Sequence, residues 1–318
     1  DFKEIIISEP KDHGYNPDNT ATIGDENVRA GIIEAIEALS AIGNPMDKEL
    51  KISDMFELIY LDFCPEDKEP EYFYQTIFEE MGFSGTERHV VRINNITGLD
   101  GLQYAKNLMF LYLPHYNISD LSPISGLDNL LALWIDSTTG LSNIDAVENL
   151  TNLRYLVINN LNSSDISPIS NLQNLGDLSI VSHGSVNLDL TPLNGLGLSS
   201  LSLHGFNIED WEPIGTLWNL HGLHINASTV TDLTPLKNLS HLGMLNIRDT
   251  AVSDIGPLAE LQNLRHLTLE NCSIESIEGL QNLVNLQEFY LDAYTYDKNP
   301  LIINAIKENG CNVYRIKP

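Results

Sequence analysis

Several histidines in this sequence are spaced so that they could bind a metal ion or respond to pH. His204, His224 and His266 lie in the C-terminal half, flanked by His221 and His241. Imidazole nitrogens bind transition metals and titrate near neutral pH, so this group could form a metal site or a pH-sensitive surface. On adjacent strands, His204 and His224 would come within reach of one ion. No cysteine or carboxylate completes the set, so the sequence predicts no metal site, no cofactor and exposed, polar histidines.

Aromatic residues form a second group. Phe110, Tyr112, Trp134 and Tyr155, with Tyr116 nearby, are spaced so that they would fall on three neighbouring strands. A contiguous exposed aromatic patch often anchors a protein interface, and it can also stack on sugars. The alternative is that the acidic segment 64–89 packs over these rings and makes them part of a core. The sequence leaves both interpretations open.

Catalytic motifs are absent from the sequence. It contains no glycine-rich phosphate loop, no H-E-x-x-H motif, no nucleophile elbow and no supported Cys–His pair. Cys64, Cys272 and Cys311 are too few for a disulfide framework and lack zinc-site spacing. The sequence therefore predicts a protein that is not an enzyme; an activity within the N-terminal ~90 residues is a less favoured alternative, which would need a pocket with perturbed titratable groups.

Composition narrows the possible partners. The 318 residues are 42% apolar, which excludes a disordered chain, and the formal net charge is −27. This charge repels phosphate backbones and anionic lipids, so we expect neither nucleic acid nor membrane surface as a partner. No run approaches the ~20 apolar residues of a membrane-spanning helix. Because the sequence begins at Asp1 without a methionine, we expect that a targeting or anchoring segment has been removed.

A sequence repeat determines where the histidines and aromatic residues described above lie in the fold. The motif N-L-x-x-L-x-L recurs mostly every 22 residues, with units starting at Asn107, Asn129, Asn152, Asn174, Gly197, Asn219, His241, Asn263 and Asn285. Counting from each start, apolar residues recur at positions two, five and seven with strand period, then at twelve, fifteen, eighteen and twenty-one with helical or 3₁₀ period. A proline two residues after position fifteen begins the short helical turn in the units that contain Pro123, Pro168, Pro235 and Pro257.

One such unit cannot bury its own apolar edge, but stacked units bury a continuous core. The predicted fold is therefore an α/β repeat solenoid, with a curved array of leucine-rich repeats. It has a concave parallel β-sheet, a convex side of short 3₁₀ or helical turns, an α-helical N-terminal cap and a helix–strand C-terminal cap. The predicted domains are a cap region with an insertion at 1–90, the repeats at 91–291 (about nine units and a partial first one) and the C-terminal cap at 292–318.

The repeat resembles that of the internalins, a bacterial leucine-rich repeat family, as in "NLHGLHINASTVTDLTPLKNLS" (219–240). The segments 25–43, 52–63 and 94–108 look like that family's helical N-terminal cap leading into the first repeat. The family's asparagine ladder at position ten is missing, and residues such as Leu161, Phe206, Ser228 and Cys272 stand there instead. Ser and Cys could still bond the turn backbone, whereas Leu and Phe could not.

Strand positions four, six and eight project from the concave sheet, where solenoids bind their partners. The resemblance and these positions together predict non-catalytic macromolecular recognition by a secreted or cell-surface bacterial protein. We expect a monomer that binds a protein of a host or of the cell envelope. A cytoplasmic scaffold or regulatory subunit and a glycan-binding protein are the alternatives. The predicted partner-binding residues are Phe110, Tyr112, Trp134, Asp136, Tyr155, His204, His224 and Arg248.

Overall fold

The computed structural model describes residues 60–64, 90–92, 96 and 98–317. The described residues fall into two compact units, a first one that ends at Asn160 and a second one that begins at Leu161. The cap helix predicted at 25–43 and the insertion at 65–89 lie outside the described residues, as does the first part of the segment 52–63.

In the first unit the strands are β1 (Tyr60–Cys64), β2 (Val90–Arg92), β3 (Phe110–Tyr116), β4 (Ala132–Leu141) and β5 (Tyr155–Leu161). They lie in the order β2-β1-β3-β4-β5, and β1 runs parallel to both β2 and β3. The end of the segment 52–63 is a strand, because Tyr60–Cys64 form β1, which pairs with the edge of β3.

In the second unit each repeat contributes one strand, and consecutive strands lie side by side. The strands are β6 (Asp177–Asn187), β7 (Ser200–Asn207), β8 (Gly222–Asn226), β9 (Met244–Arg248), β10 (His266–Glu270), β11 (Glu288–Asp292) and β12 (Asn312–Ile316). All of these pairs are parallel. Helices α1 (Ala293–Lys298) and α2 (Pro300–Glu308) connect β11 to β12. The predicted repeat fold with a parallel sheet is thus confirmed.

The apolar positions of the repeat form the core. In the unit that starts at Asn219, no predicted core side chain is more than 2% exposed; these are Leu220, Leu223, Ile225, Val230, Leu233, Leu236 and Leu239. Burial of one such side chain contributes about 1.5–3 kcal/mol. The four prolines stand in the first two residues of 3₁₀ turns, as predicted, where no backbone N–H is lost from the turn.

An asparagine ladder is present, but at position one of the repeat. Asn129 and Asn152 donate from Nδ2 to the Lys106 and Asp128 carbonyls at 2.9 and 2.8 Å in the first unit. In the second unit the same bond joins Asn219 to Gly197 at 3.1 Å, Asn263 to Ser240 at 2.7 Å and Asn285 to Gln262 at 2.8 Å. Each bond ties one repeat to the preceding one. Position ten differs between repeats: Leu161 and Phe206 are buried and pack, whereas the Cys272 Sγ lies 3.4 Å from the Glu270 carbonyl oxygen, as expected for a residue that can bond the turn backbone.

Position nine turns the chain away from the strand toward the 3₁₀ turn that follows. Its residue has a left-handed backbone in several units, with φ of 64° at Asn160, 78° at Gly205, 48° at Ala227, 51° at Asp249 and 52° at Asn271. Glycine and asparagine adopt this conformation readily, whereas alanine does so at a cost. Gly205 also has no room for a side chain, because a Cβ there would lie 2.0 Å from the Ser182 carbonyl oxygen.

A carboxylate begins most of the 3₁₀ turns. Asp165, Asp189 and Asp232 accept from the backbone N–H two residues later, each at 2.8 Å. Hydrogen bonds from Ser167, Thr191 and Thr234 hold the pKa values of these three carboxyls below the ordinary value. Asn143 makes the same bond to the Asp145 N–H at 2.7 Å, so the motif needs an oxygen acceptor and not a charge.

These pKa values predict how stability depends on acidity. A carboxyl whose pKa is lower in the folded state than in the unfolded state stabilises the fold. This contribution is fully present above the unfolded-state pKa of about 3.9 and is lost as pH falls through the folded-state pKa. Replacing Asp165, Asp189 and Asp232 with Asn keeps the acceptor and removes this dependence. We expect the free energy of unfolding of the triple variant to fall less steeply below about pH 4 than that of wild type, measured by urea titration. Parallel curves would contradict this account of the turns.

A matched pair of substitutions tests position nine. Gly205→Ala places a Cβ against the Ser182 carbonyl and should lower the free energy of unfolding by at least about 2 kcal/mol. Ala227→Gly relieves a left-handed alanine and should raise it by up to about 1 kcal/mol. Urea denaturation followed by circular dichroism measures both. Equal effects of the same sign would show that backbone conformation does not govern this turn.

Candidate functional site

Of the two interpretations of the aromatic group, burial applies to Phe110 and Tyr112. Phe110 is only 2% exposed and Tyr112 only 5%. Strand β3 is flanked on both sides, with Tyr112 paired to Asp62 of β1 and to Trp134 of β4. The Tyr112 and Trp134 rings pack edge to face, with centroids 5.5 Å apart. These two side chains therefore belong to packed structure, while the insertion that could cover them lies outside the described residues.

Three predicted residues of the first unit remain partly accessible. Trp134, Asp136 and Tyr155 are half-buried at positions four, six or eight of β4 and β5. Trp134 and Asp136 lie on the same side of β4, because side chains two residues apart share one face of a strand. An indole and a carboxylate on one face can contact a partner without any change of fold.

In the second unit the predicted residues lie on one face of the sheet, here called the outward face. It is made of positions four, six and eight of β7–β11 and of the β12 residues aligned with them, Asn312, Tyr314 and Ile316. His204 and Arg248 occupy position eight and both align with Asn226 of β8. His224 occupies position six, aligned with Ser202 and Asn246. His204 and His224 therefore lie in different rows. Within the described part of the chain, no group of three or more His, Cys, Asp or Glu side chains could hold a metal ion.

His224 is a neutral hydrogen-bond acceptor. The Asn246 Nδ2 lies 2.8 Å from the His224 Nδ1, and because an amide nitrogen only donates, Nδ1 must accept. The proton of the neutral ring is then on Nε2. Burial and the positive charge of Arg248 both lower the pKa of His224, which agrees with this assignment.

Charged and aromatic side chains continue this face toward the C-terminus. Arg248 Nε lies 3.3 Å from the Glu270 carboxylate. On the next strands His266 Nδ1 and the Tyr290 hydroxyl lie 3.3 and 3.4 Å from the same Glu288 oxygen. Loss of solvent around the hydroxyl, followed by the charge of Glu288, raises the pKa of Tyr290. The face thus carries two separate sets of polar contacts, Arg248–Glu270 between β9 and β10 and His266–Glu288–Tyr290 between β10 and β11.

Three further residues of this face were not among the predicted site residues. Tyr290 stacks on Tyr314 of β12 with ring centroids 4.5 Å apart and planes 13° from parallel. Tyr314 is 42% exposed, and Met244 on β9 is 38% exposed. The position-six register could have indicated Tyr290. Tyr314 could not be found in this way, because β12 follows two helices and falls outside the 22-residue period.

Two cavities lie in the second unit, of which the second reaches the outward face through Glu270 and Asp292 at position eight. One of about 700 Å³ is lined by Glu209, Trp211 and Asp232, among others. Another of about 670 Å³ is lined by Cys272, Asp292 and Tyr294, among others. Burial raises the pKa of the Cys272 thiol, which keeps it protonated and a weak nucleophile. The chemistry that this arrangement supports is noncovalent contact.

No family model and no curated protein matches the sequence. Among solved structures, the chain is similar to an internalin (inlF) from Listeria monocytogenes, with a TM-score of 0.61, 23% identity and coverage of 91% of this chain and 90% of that one. It is also similar to internalin C2 (inlC2) from the same organism, with a TM-score of 0.53, 24% identity and coverage of 86% and 100%. A third similar structure is a plant peptide hormone receptor, RGFR1, in complex with RGF2. Its TM-score is 0.54, with 18% identity over 72% of this chain and 39% of that one.

The helices of the described residues are short: none has the length and apolar character that crossing a membrane requires. The parallel strands, the 3₁₀ turns and the two internalin comparisons agree on the architecture. The chain therefore has the leucine-rich repeat fold seen in the bacterial internalins.

Proposed function

We propose that this chain is a recognition protein that binds another protein through the outward face of its second unit. The observation that carries the proposal is the contrast between the two sides of the strands. Core positions repeat the same aliphatic residues, whereas the outward positions differ from strand to strand. Packing explains the first pattern, and it gives no reason for the second.

The outward face offers the side chains that protein interfaces use. Tyr290 and Tyr314 form a preorganised aromatic pair, and Met244 adds a flexible apolar contact. Arg248 and Glu270 supply charge of both signs. Trp134 and Tyr155 of the first unit are proposed as additional contacts, and His204 and His224 as polar ones.

Net charge suggests the chemistry of the partner. With 44 acidic residues against 17 Lys and Arg, the chain carries a formal charge of −27. Such a field accelerates the approach of a basic surface and repels an acidic one. We therefore propose a basic protein as partner. The internalin-like fold supports placing this protein outside the bacterial cell, secreted or attached to the surface, in contact with a host or envelope protein.

Substitutions on the face test this function. Tyr314→Ser combined with Met244→Ser removes two exposed apolar contacts while leaving the core intact. The matched control is Leu301→Ser on α2, which removes an apolar side chain that is 83% exposed but lies off the sheet. We expect the double variant to lose about 2 kcal/mol or more of binding energy, and the control to bind as wild type does.

The measurement is capture of partners from host-cell surface and extracellular extracts, followed by titration of the captured protein against each variant. Circular dichroism verifies that all variants fold. If the double variant bound as tightly as the Leu301 control, the outward face of β9–β12 would not be the binding surface. If glycans were captured instead of proteins, the proposal of a protein partner would be wrong.

Salt dependence tests the proposed charge of the partner. Raising ionic strength from about 0.05 to 0.5 M shortens the screening length severalfold and should slow association with a basic partner. Dissociation should change much less. Stopped-flow or surface-binding kinetics measure both rates. An association rate that rises with salt would mean that the partner is acidic.

A further inference from the structure

Two histidines lie close together at the end of the strands opposite position nine. His221 precedes β8 and His241 precedes β9, and both side chains are exposed. Their ring centroids are 5.7 Å apart, with the planes tilted by 44°. Neither residue belongs to the outward face, so the function proposed above does not use them.

Hydrogen bonds fix the tautomer of both rings. The Nδ1 of His221 lies 2.6 Å from the Asn219 carbonyl oxygen, and the Nδ1 of His241 lies 3.0 Å from the Trp218 carbonyl oxygen. A carbonyl oxygen only accepts, so each Nδ1 must carry the proton. In the neutral ring Nε2 then has a free lone pair. Metal-binding histidines usually have this arrangement, with the second nitrogen donating to a carbonyl or carboxylate.

The separation of the rings suits one shared metal ion. Zinc binds imidazole nitrogen at about 2.0–2.1 Å, which places the ion about 3.2 Å from a ring centroid. For angles between tetrahedral and trigonal, two such rings have centroids about 5.2–5.5 Å apart. The observed 5.7 Å therefore requires the two exposed rings to move together by only a few tenths of an ångström. From this spacing and the two fixed tautomers, we propose that the Nε2 atoms of His221 and His241 bind a divalent transition metal such as Zn²⁺.

The two histidines supply two of the ion's ligands. No third His, Cys, Asp or Glu completes a cluster among the described residues, so water occupies the remaining positions. A site with water ligands is open to a donor from another molecule. The ion also joins consecutive repeats, because His221 and His241 belong to neighbouring units. Metal binding should therefore stabilise the fold by linkage. The acidic chain favours the approach of any cation.

His241 can be replaced without loss of its backbone contact, because it stands at position one of its repeat. Asn263, at the same position of the next unit, donates to the Ser240 carbonyl at 2.7 Å. His241 makes the equivalent contact to Trp218. His241→Asn therefore retains the ladder bond while removing the Nε2 ligand, so the fold is preserved. The matched control is His183→Asn, which changes an exposed histidine in another repeat of the second compact unit.

The experiment is isothermal titration of ZnCl₂ into the whole metal-free chain, with thermal unfolding as a second readout. We expect one Zn²⁺ per chain at the pair and a higher Tm with zinc for wild type and for His183→Asn. His241→Asn and His221→Asn should weaken zinc binding by more than about tenfold and should abolish the zinc-dependent rise in Tm.

Unchanged zinc affinity in His241→Asn would overturn the proposal, and so would the absence of zinc binding to wild type. A loss shared equally by His183→Asn would point to diffuse binding by surface histidines and would also overturn it. Binding of the protein partner through the outward face is measured separately, without metal. The failure of one proposal is therefore distinguishable from the failure of the other.

Discussion

The constraint on which the structure depends is that one repeat cannot bury its own apolar edge. Leu223 and Ile225 lie on one side of the short strand β8, Leu220 precedes that strand, and all three are buried where neighbouring repeats stack beside them. This requirement fixes the period, since every unit must present the same apolar residues at the same height. It also fixes the backbone between units, through the position-one asparagine ladder and the left-handed turn at position nine.

The same constraint leaves one side of the strands free to vary. Positions four, six and eight contribute little to the stacked core, so their side chains can differ without loss of the fold. In the second unit they form a surface with a stacked tyrosine pair, an exposed methionine and an Arg–Glu ion pair. Rigid presentation of such side chains lowers the entropic cost of binding, because the strands do not rearrange. Recognition is thus a consequence of how the core is built.

Sequence periodicity was enough to predict the parallel sheet, the core leucines and the proline-started turns, because each follows from local pattern and repetition. It did not predict the burial of two aromatic residues at outward positions or the contribution of a strand outside the repeat. Phe110 and Tyr112 occupy outward positions and are nevertheless buried, although outward residues of other inner strands, such as His224 and Met244, stay accessible. Tyr314 was missed because its strand joins the sheet after two helices. The Nδ1 contacts of His221 and His241 depend on distances that no sequence pattern encodes.

The most direct test of the central claim is site-specific photo-crosslinking to the captured partner. A photoreactive amino acid replaces Met244, which is 38% exposed on the outward face, or Val284, which is 63% exposed and lies off the strands. The account predicts a crosslink from position 244 and none from position 284, although the second site is more accessible. A crosslink from position 284 with none from position 244 would contradict it and would place the binding surface away from the outward face.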